Sequence, residues 1–362
     1  IYYLGGEDEG WRASGWLWLE KPDDEDNLTC DDNCTICDEE GWYYFGSDGK
    51  MYKDYKKKKV NGKFYYFNEH GQMLYEWVNG SKIAPTAGTP SNGELDGNVA
   101  TPGNTPIGDM IYTNVVEEGW RADGWYEIDG SKSVGTSDDT DWYYFKDGAA
   151  KKAASTDAIY TLTDRVNVMQ DNDNNEIYRG RIKIAGKYFC FNEKGQMQTG
   201  LQFIKANNGF YFFDDNGYMK TGKSSNVEED NDTFTYYFIT KNGSNGKGQM
   251  GPKDNYLYFA GKRLEADDDY KLYFVEDAVY LVNNKGKIQK SGSKKYDIEG
   301  VGEDIVVTFS GSKVATVAGN AVMTKDAAGT VISVDTSIVA IPQIELYDNV
   351  YSYNSNYALG WQ

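Results

Sequence analysis

The sequence predicts an all-β chain: a β-solenoid of stacked β-hairpin repeats in two related arms, with a small all-β C-terminal module. Three observations carry that prediction. A tetrad of mostly aromatic residues recurs, followed each time by a turn glycine and a methionine. A Gly-Trp element near the start returns about a third of the way along. The composition, with 30 Tyr, 9 Trp and 40 Gly in 362 residues, supplies many rings but little aliphatic core.

The tetrads read WYYFGSDGKM at 42–51, FYYFNEHGQM at 64–73, YFCFNEKGQM at 188–197 and FYFFDDNGYM at 210–219. In each, Gly follows the terminal Phe by four residues and Met follows the Gly by two. The first two segments start 22 residues apart, as do the last two, so each pair reads as consecutive copies of one unit. Alternating apolar residues, a polar turn ending in Gly and a second short strand are the pattern of a β-hairpin. Gly49, Gly71, Gly195 and Gly217 supply the positive φ that the turn needs. One such hairpin cannot bury its own rings, so neighbours must share a core. Weaker copies at 142–148, 235–243, 256–262 and up to Gly286 extend the array over most of the chain.

Above the short repeat lies a duplication, IYYLGGEDEGWRASGW at 1–16 and IYTNVVEEGWRADGW at 111–125, each leading into WYYF. The expected organisation is a first arm over 1–78, a linker over 79–110, a second arm over 111–295 and a terminal module over 296–362. Four of the seven prolines, Pro85, Pro90, Pro102 and Pro106, fall in the linker among Gly, Thr, Asn and Ser. That composition suits a flexible tether or an ordered excursion on the surface. From about Tyr296 onward, alternating β-branched residues and small turns read as a short all-β module or as divergent repeats capping the array.

A formal charge of −19 argues against a nucleic-acid partner, because phosphate binding needs a Lys/Arg excess. The same charge argues against anionic membrane surfaces, and no apolar run is long enough for membrane insertion. The chain begins at Ile1 with no charged or apolar leader, as expected of a processed protein or a fragment. Cys30, Cys34 and Cys37 have the C-x3-C-x2-C spacing of an iron-sulfur triad, but they stand in an acidic loop between hairpins. A local disulfide among these three is the expected state in an exported protein, with Cys190 a buried thiol. The run QDNDNNE at 170–176 alternates acids like a calcium loop yet lacks its Gly and distal Glu, and it reads as a solvated turn. No metal and no cofactor are expected. The single histidine, His70, sits at a hairpin turn, which leaves no Ser-His or Cys-His constellation. The chain is therefore read as a non-enzyme. Lys56 to Lys59 read as the solvated edge of a strand.

The segments GKFYYFNEHGQM and GKYFCFNEKGQMQTG resemble the cell-wall-binding repeat family of choline-binding proteins, glucan-binding regions and clostridial-toxin repeats. The resemblance covers roughly 40–78 and 140–290. It implies stacked hairpins with ligands held against rings between neighbours: a quaternary ammonium caged by Trp and Tyr in the choline-binding branch, sugar faces on flat rings in the glucan-binding one. Strand alternation puts Trp42 with Tyr44, and Phe64 with Tyr66, on one face of their hairpins. Trp77 falls where the family's Thr-Gly-Trp tryptophan would be. The resemblance thus points to Trp42, Tyr44, Tyr66 and Trp77 as one ligand cluster, with Trp142 and Tyr144 as its counterpart. Trp11, Trp16, Trp18, Trp120 and Trp125 belong to the Gly-Trp elements, of which Trp120 and Trp125 join the ligand-binding candidates. Arg12 and Arg121, between the tryptophans, are packing clamps or a carboxylate subsite. Leu201 after Thr199-Gly200, and Lys223 after Thr221-Gly222, leave those copies without a Trp wall, and Cys190 replaces the ring that Tyr66 supplies.

The implied function is non-catalytic attachment of a secreted or cell-surface protein to a cell-wall polymer or polysaccharide, either a glucan or choline-bearing teichoic acid. The alternative is a surface adhesin or structural spacer that binds a protein partner.

Overall fold

One local device builds most of the turns. Asn68 Oδ1 accepts from the backbone N–H groups of His70 and Gln72, and Asp214 Oδ1 does the same for Asn216 and Tyr218. Asn283 and Asp326 repeat the arrangement two and four residues on. The side chain thereby satisfies amides that a tight hairpin would otherwise orphan, and a glycine at positive φ, Gly71 at 93° for example, closes the turn. Because Asp326-Ala-Ala-Gly329 uses it too, the residues after Tyr296 share the turn chemistry of the repeats.

The computed structural model describes residues 1–5, 10–21, 37–53, 57–68, 70–78, 110–130, 139–159, 177–241, 245–353 and 359–361. The fold is all-β and hairpin-rich, and among the described residues the only helical pieces are 3-10 turns such as Ser155–Asp157 and Lys205–Asn207. The segment 79–109 of the expected linker, the acidic run 170–176, Lys56 and the cysteines Cys30 and Cys34 lie outside the described residues.

The chain divides into two compact units, Ile1–Lys152 with Glu193–Met197, and Ala153–Asn192 with Gln198–Gln362. Both Gly-Trp elements, expected to head separate arms, thus belong to the first unit. That unit pairs β1 (Gly15–Glu20) with β2 (Glu40–Phe45), and β3 (Lys58–Val60) with β4 (Lys63–Tyr65). It adds a five-stranded sheet in the order β5-β6-β9-β8-β7, from Trp77–Val78, Ile111–Tyr112, Gly124–Ile128, Asp141–Lys146 and Ala149–Ala150. Its apolar side chains form several small cores rather than one, as a ring-rich, aliphatic-poor composition requires. One gathers Trp77, Tyr112, Tyr143 and Phe145, another Ala13, Tyr43 and Phe45, and a third Val60, Tyr65, Phe67 and Met73.

The second unit contains β10 (Gly180–Ile184) paired with β11 (Lys187–Phe191), a hairpin over 200–213, a five-stranded sheet over 222–263 and a six-stranded sheet over 270–321. One core runs from Ile159 to Tyr353, and Tyr351 packs on Phe203, Phe210 and Phe259. Cys190 is a free buried thiol, which burial pushes up to about 12.

Within that core Glu229, 4% exposed, accepts from Tyr236 Oη at 2.6 Å, Lys262 Nζ at 2.8 Å and the Glu345 amide at 2.9 Å. A buried charge with every oxygen partnered is stable, whereas its removal strands the partner ammonium. Glu229→Ala should therefore lower the opening free energy of strands 222–238, read by denaturant-dependent amide exchange, by about 3–5 kcal/mol. A loss below about 1 kcal/mol would show that solvent already compensates the pair.

Candidate functional site

The site is set by a register rule. In hairpin after hairpin a glycine faces the terminal Phe of the tetrad: Gly15 faces Phe45, Gly124 faces Phe145, Gly180 faces Phe191, Gly200 faces Phe213 and Gly222 faces Phe238. The next residue, Trp16, Trp125, Arg181, Leu201 or Lys223, lies beside the tetrad on its ring-bearing face. In β1 and β2 this sets Trp16 opposite Tyr44 and Trp18 opposite Trp42. The other face carries Tyr43 and Phe45, which are buried at 1% and 2% exposure.

Trp16 packs on the second repeat, 4.8 Å from Tyr65 and 5.7 Å from Phe67 between ring centroids, and stands edge-on to Trp42 at 6.4 Å. The Met73 amide donates to the Trp42 carbonyl at 2.7 Å and fixes the second repeat against the first. A tight turn, in which the amides of Glu118 and Gly119 both donate to the Val115 carbonyl, then brings in Glu117, Glu118 and Trp120. Together Trp16, Trp42, Tyr65, Met73, Glu117, Glu118 and Trp120 line a cavity of about 210 Å³. That is below the roughly 300–1,000 Å³ of drug-sized pockets, so the cavity suits one small group. Its walls are three indoles, a phenol and a thioether, with two carboxylates and no cationic side chain. Burial, and then the Glu118 carboxylate, push the Tyr65 phenol above its ordinary range. Lys63 Nζ lies over the Trp120 ring, 2.8 Å from its centroid, and does not line the cavity.

Of the residues singled out in the sequence, Trp42 and Trp120 line this cavity. Tyr44 stands beside it, between Trp16 and Tyr52. Tyr66 does not reach it: 3% exposed, it packs with Leu74 and Val78. Successive hairpins face one another with opposite parity, so the second repeat offers Tyr65 and Phe67 where the first offers Trp42 and Tyr44. Trp77 is also absent, because it pairs with Tyr112 and is 1% exposed among Tyr112, Tyr143 and Phe145. Trp125 meets Tyr144 edge-on at 5.1 Å, and Trp142 is 42% exposed. The sequence reading missed Tyr65, Met73, Glu117 and Glu118 as walls and left Trp16 unassigned, although the glycine before Trp16 carried the signal. Arg12 and Arg121 pack over the turn glycines Gly49 and Gly148, and Arg121 also pairs with Asp147 at 2.7 Å. Cys37 is disulfide-bonded, its partner lying outside the described residues, and the segment is tied to the second repeat by the Asp38 amide on Gln72 Oε1. Among the described residues no group of His, Cys, Asp and Glu could hold a metal, and no helix is long and apolar enough to cross a membrane.

Three segments, 36–51, 58–73 and 202–219, match the family model described as "Putative cell wall binding repeat". No curated protein matches the chain. Among solved structures it is similar to choline binding protein F in complex with ipratropium, at 18% identity, TM-score 0.42 and coverage of 87% of this chain and 89% of that one. It is similar also to choline binding protein F of Streptococcus pneumoniae crystallised with a peptidoglycan analogue, at 22% identity, TM-score 0.30 and coverage of 80% and 89%. The choline-binding domain of CbpL from Streptococcus pneumoniae matches at 16% identity, TM-score 0.32 and coverage of 77% and 98%.

Gly119 supports the cavity floor. Its φ is +58°, and a Cβ there would lie 2.2 Å from both Sδ and Cε of Met73. Gly62, at φ +86°, would meet nothing within 4 Å. Gly119→Ala should therefore cost about 1–3 kcal/mol more than Gly62→Ala in denaturant unfolding followed by Trp fluorescence. Equal losses would mean that Met73 moves aside freely.

Proposed function

We propose that this chain attaches to a cell-wall polymer by holding a quaternary ammonium group, such as the choline of a teichoic acid, in the cavity walled by Trp16, Trp42 and Trp120. The single observation that carries this reading is the wall chemistry. Electron-rich ring faces attract a cation at about 0.5–2 kcal/mol per ring, and an alkylated ammonium needs no hydrogen-bond acceptor from the wall. Glu117 and Glu118 add negative potential where the methylated cation would sit, and the chain's net charge of −19 attracts cations over a longer range. Repeats stacked as a solenoid would present such sites along one polymer, and weak sites gain retention through avidity. Attachment at the surface of the cell, without catalysis, follows from this reading.

A second reading rests on the rings outside the cavity. Trp11, Trp18 and Trp142 are 46%, 44% and 42% exposed, and such platforms suit sugar faces.

Titration with choline chloride, followed by Trp emission against sodium chloride at equal ionic strength, separates the two. The expected result is a saturable change, weakened about threefold to thirtyfold by Trp16→Ala or Trp42→Ala and unaffected by Trp142→Ala. Retention on dextran or purified glycan that Trp142→Ala abolishes, with no response to choline, would replace the ammonium reading by the platform one.

A further inference from the structure

The second unit contains the same constellation with its centre filled by the chain itself. Gly180 faces Phe191 as Gly15 faces Phe45, so Arg181 stands at the register of Trp16, opposite Cys190. Tyr188 occupies the place of Trp42: its carbonyl accepts from the Met219 amide at 3.0 Å, as the Trp42 carbonyl accepts from Met73. Tyr211 holds the tetrad position of Tyr65. Gly246 lies against Met219 as Gly119 lies against Met73, which makes Lys247 the counterpart of Trp120. The Arg181 guanidinium carbon lies 4.7 Å from the Tyr188 ring centroid and 4.6 Å from that of Tyr211. Its Nη1 donates to Met219 Sδ at 3.7 Å and to the Asn245 carbonyl at 3.4 Å.

We propose that Arg181 is an internal ligand that closes this second cage, and that the residue following the register glycine decides whether a repeat admits an external quaternary ammonium. The inference rests on the ammonium reading of the first cavity. A planar, permanently charged guanidinium stacks on tyrosine faces and tethers itself by hydrogen bonds. It competes for the ring faces at the effective concentration of a tethered group, which a millimolar external cation does not match. With Trp at this register the walls are complete and the centre is empty; with Arg the centre is occupied.

Met73 and Met219 lie one in each constellation, so the full chain with 13C-labelled methionine methyls reports on both at once. Choline chloride should shift the Met73 methyl saturably and leave Met219 unmoved, with sodium chloride at equal ionic strength as control. In Arg181→Ala the Met219 methyl should acquire a saturable shift of its own while Met73 is unchanged. The variant R181W/K247W, which restores two of the first cavity's three indoles, provides the second test where truncation loosens the hairpin. A Met219 shift already present in the wild-type chain, or absent from both variants, overturns the closure. A silent Met73 instead overturns the ammonium reading of the first cavity, and the Met219 comparison still decides the role of Arg181.

Discussion

At three places in the chain a methionine thioether slides under a turn that has no Cβ to meet it, and the neighbouring segment docks there. Met51 lies under Gly71, Met73 under Gly119 and Met219 under Gly246, and in every case an added Cβ would come within 2.6 Å of the sulfur. The glycine is constrained twice, by positive φ and by this contact. The methionine is constrained by needing to be long, unbranched and polarisable enough to bridge from its own strand to the neighbour's turn. The tetrad-Gly-x-Met spacing is therefore the trace of an interaction between repeats, not within one, and it fixes the separation at which facing rings meet. The cavity at Met73 exists because that separation leaves room between Trp16, Trp42 and Trp120.

The same contact explains why one architecture yields both an open and a filled cage. Met73 and Met219 form equivalent floors, and the strand pairing above them is identical in register. Lys247 and Tyr188 stand where Trp120 and Trp42 do, and the side chain opposite the tetrad's third residue changes what fills the centre: an indole that leans on the neighbouring repeat through Tyr65 and Phe67, or a guanidinium that turns inward over two phenol rings. Cys190, facing Arg181, contributes too. Where Tyr44 fills the space beside Trp16, the small thiol leaves room for a long side chain to fold back.

Much of this was legible in the sequence, and the limits have physical causes. The hairpins, their turn glycines and the all-β class follow from spacing alone, because a two-residue period and a left-handed turn leave unambiguous marks. Trp42 and Trp120, which line the cavity, are conspicuous in the sequence because tryptophan stands out in a polar, ring-rich chain. Alternation does not separate Tyr65 from Tyr66, because it tells which residues share a face but not which face meets the neighbour, and across the contact the first hairpin presents Trp42 and Tyr44 while the second presents Tyr65 and Phe67. Trp77 lies away from this cavity because its strand pairs with Tyr112, more than thirty residues on in the sequence, a long-range pairing that no local pattern announces. Arg181 carried no signal, since IYRGRIKIAG looks nothing like GWLW until the register places them together.

The register rule also bounds how strongly the chain can hold a polymer. A single cage of three indoles gains on the order of a few kcal/mol from its ring faces, which corresponds to roughly millimolar binding. On the proposed ammonium reading, retention on a polymer comes from several cages engaging it at once. Number of rings is a poor guide to that valency, because many of them, Tyr43, Tyr143 and Tyr236 among them, are fully buried in the cores that join hairpins. The informative count is of glycines that face a tetrad's Phe and are followed by tryptophan. Trp16 and Trp125 satisfy it; Arg181, Leu201 and Lys223 do not. Both qualifying positions fall in the first unit. The second unit instead gathers most of its buried side chains into one large aliphatic and aromatic core between Ile159 and Tyr353, beside a smaller cluster of Cys190, Ile204, Tyr211 and Phe213.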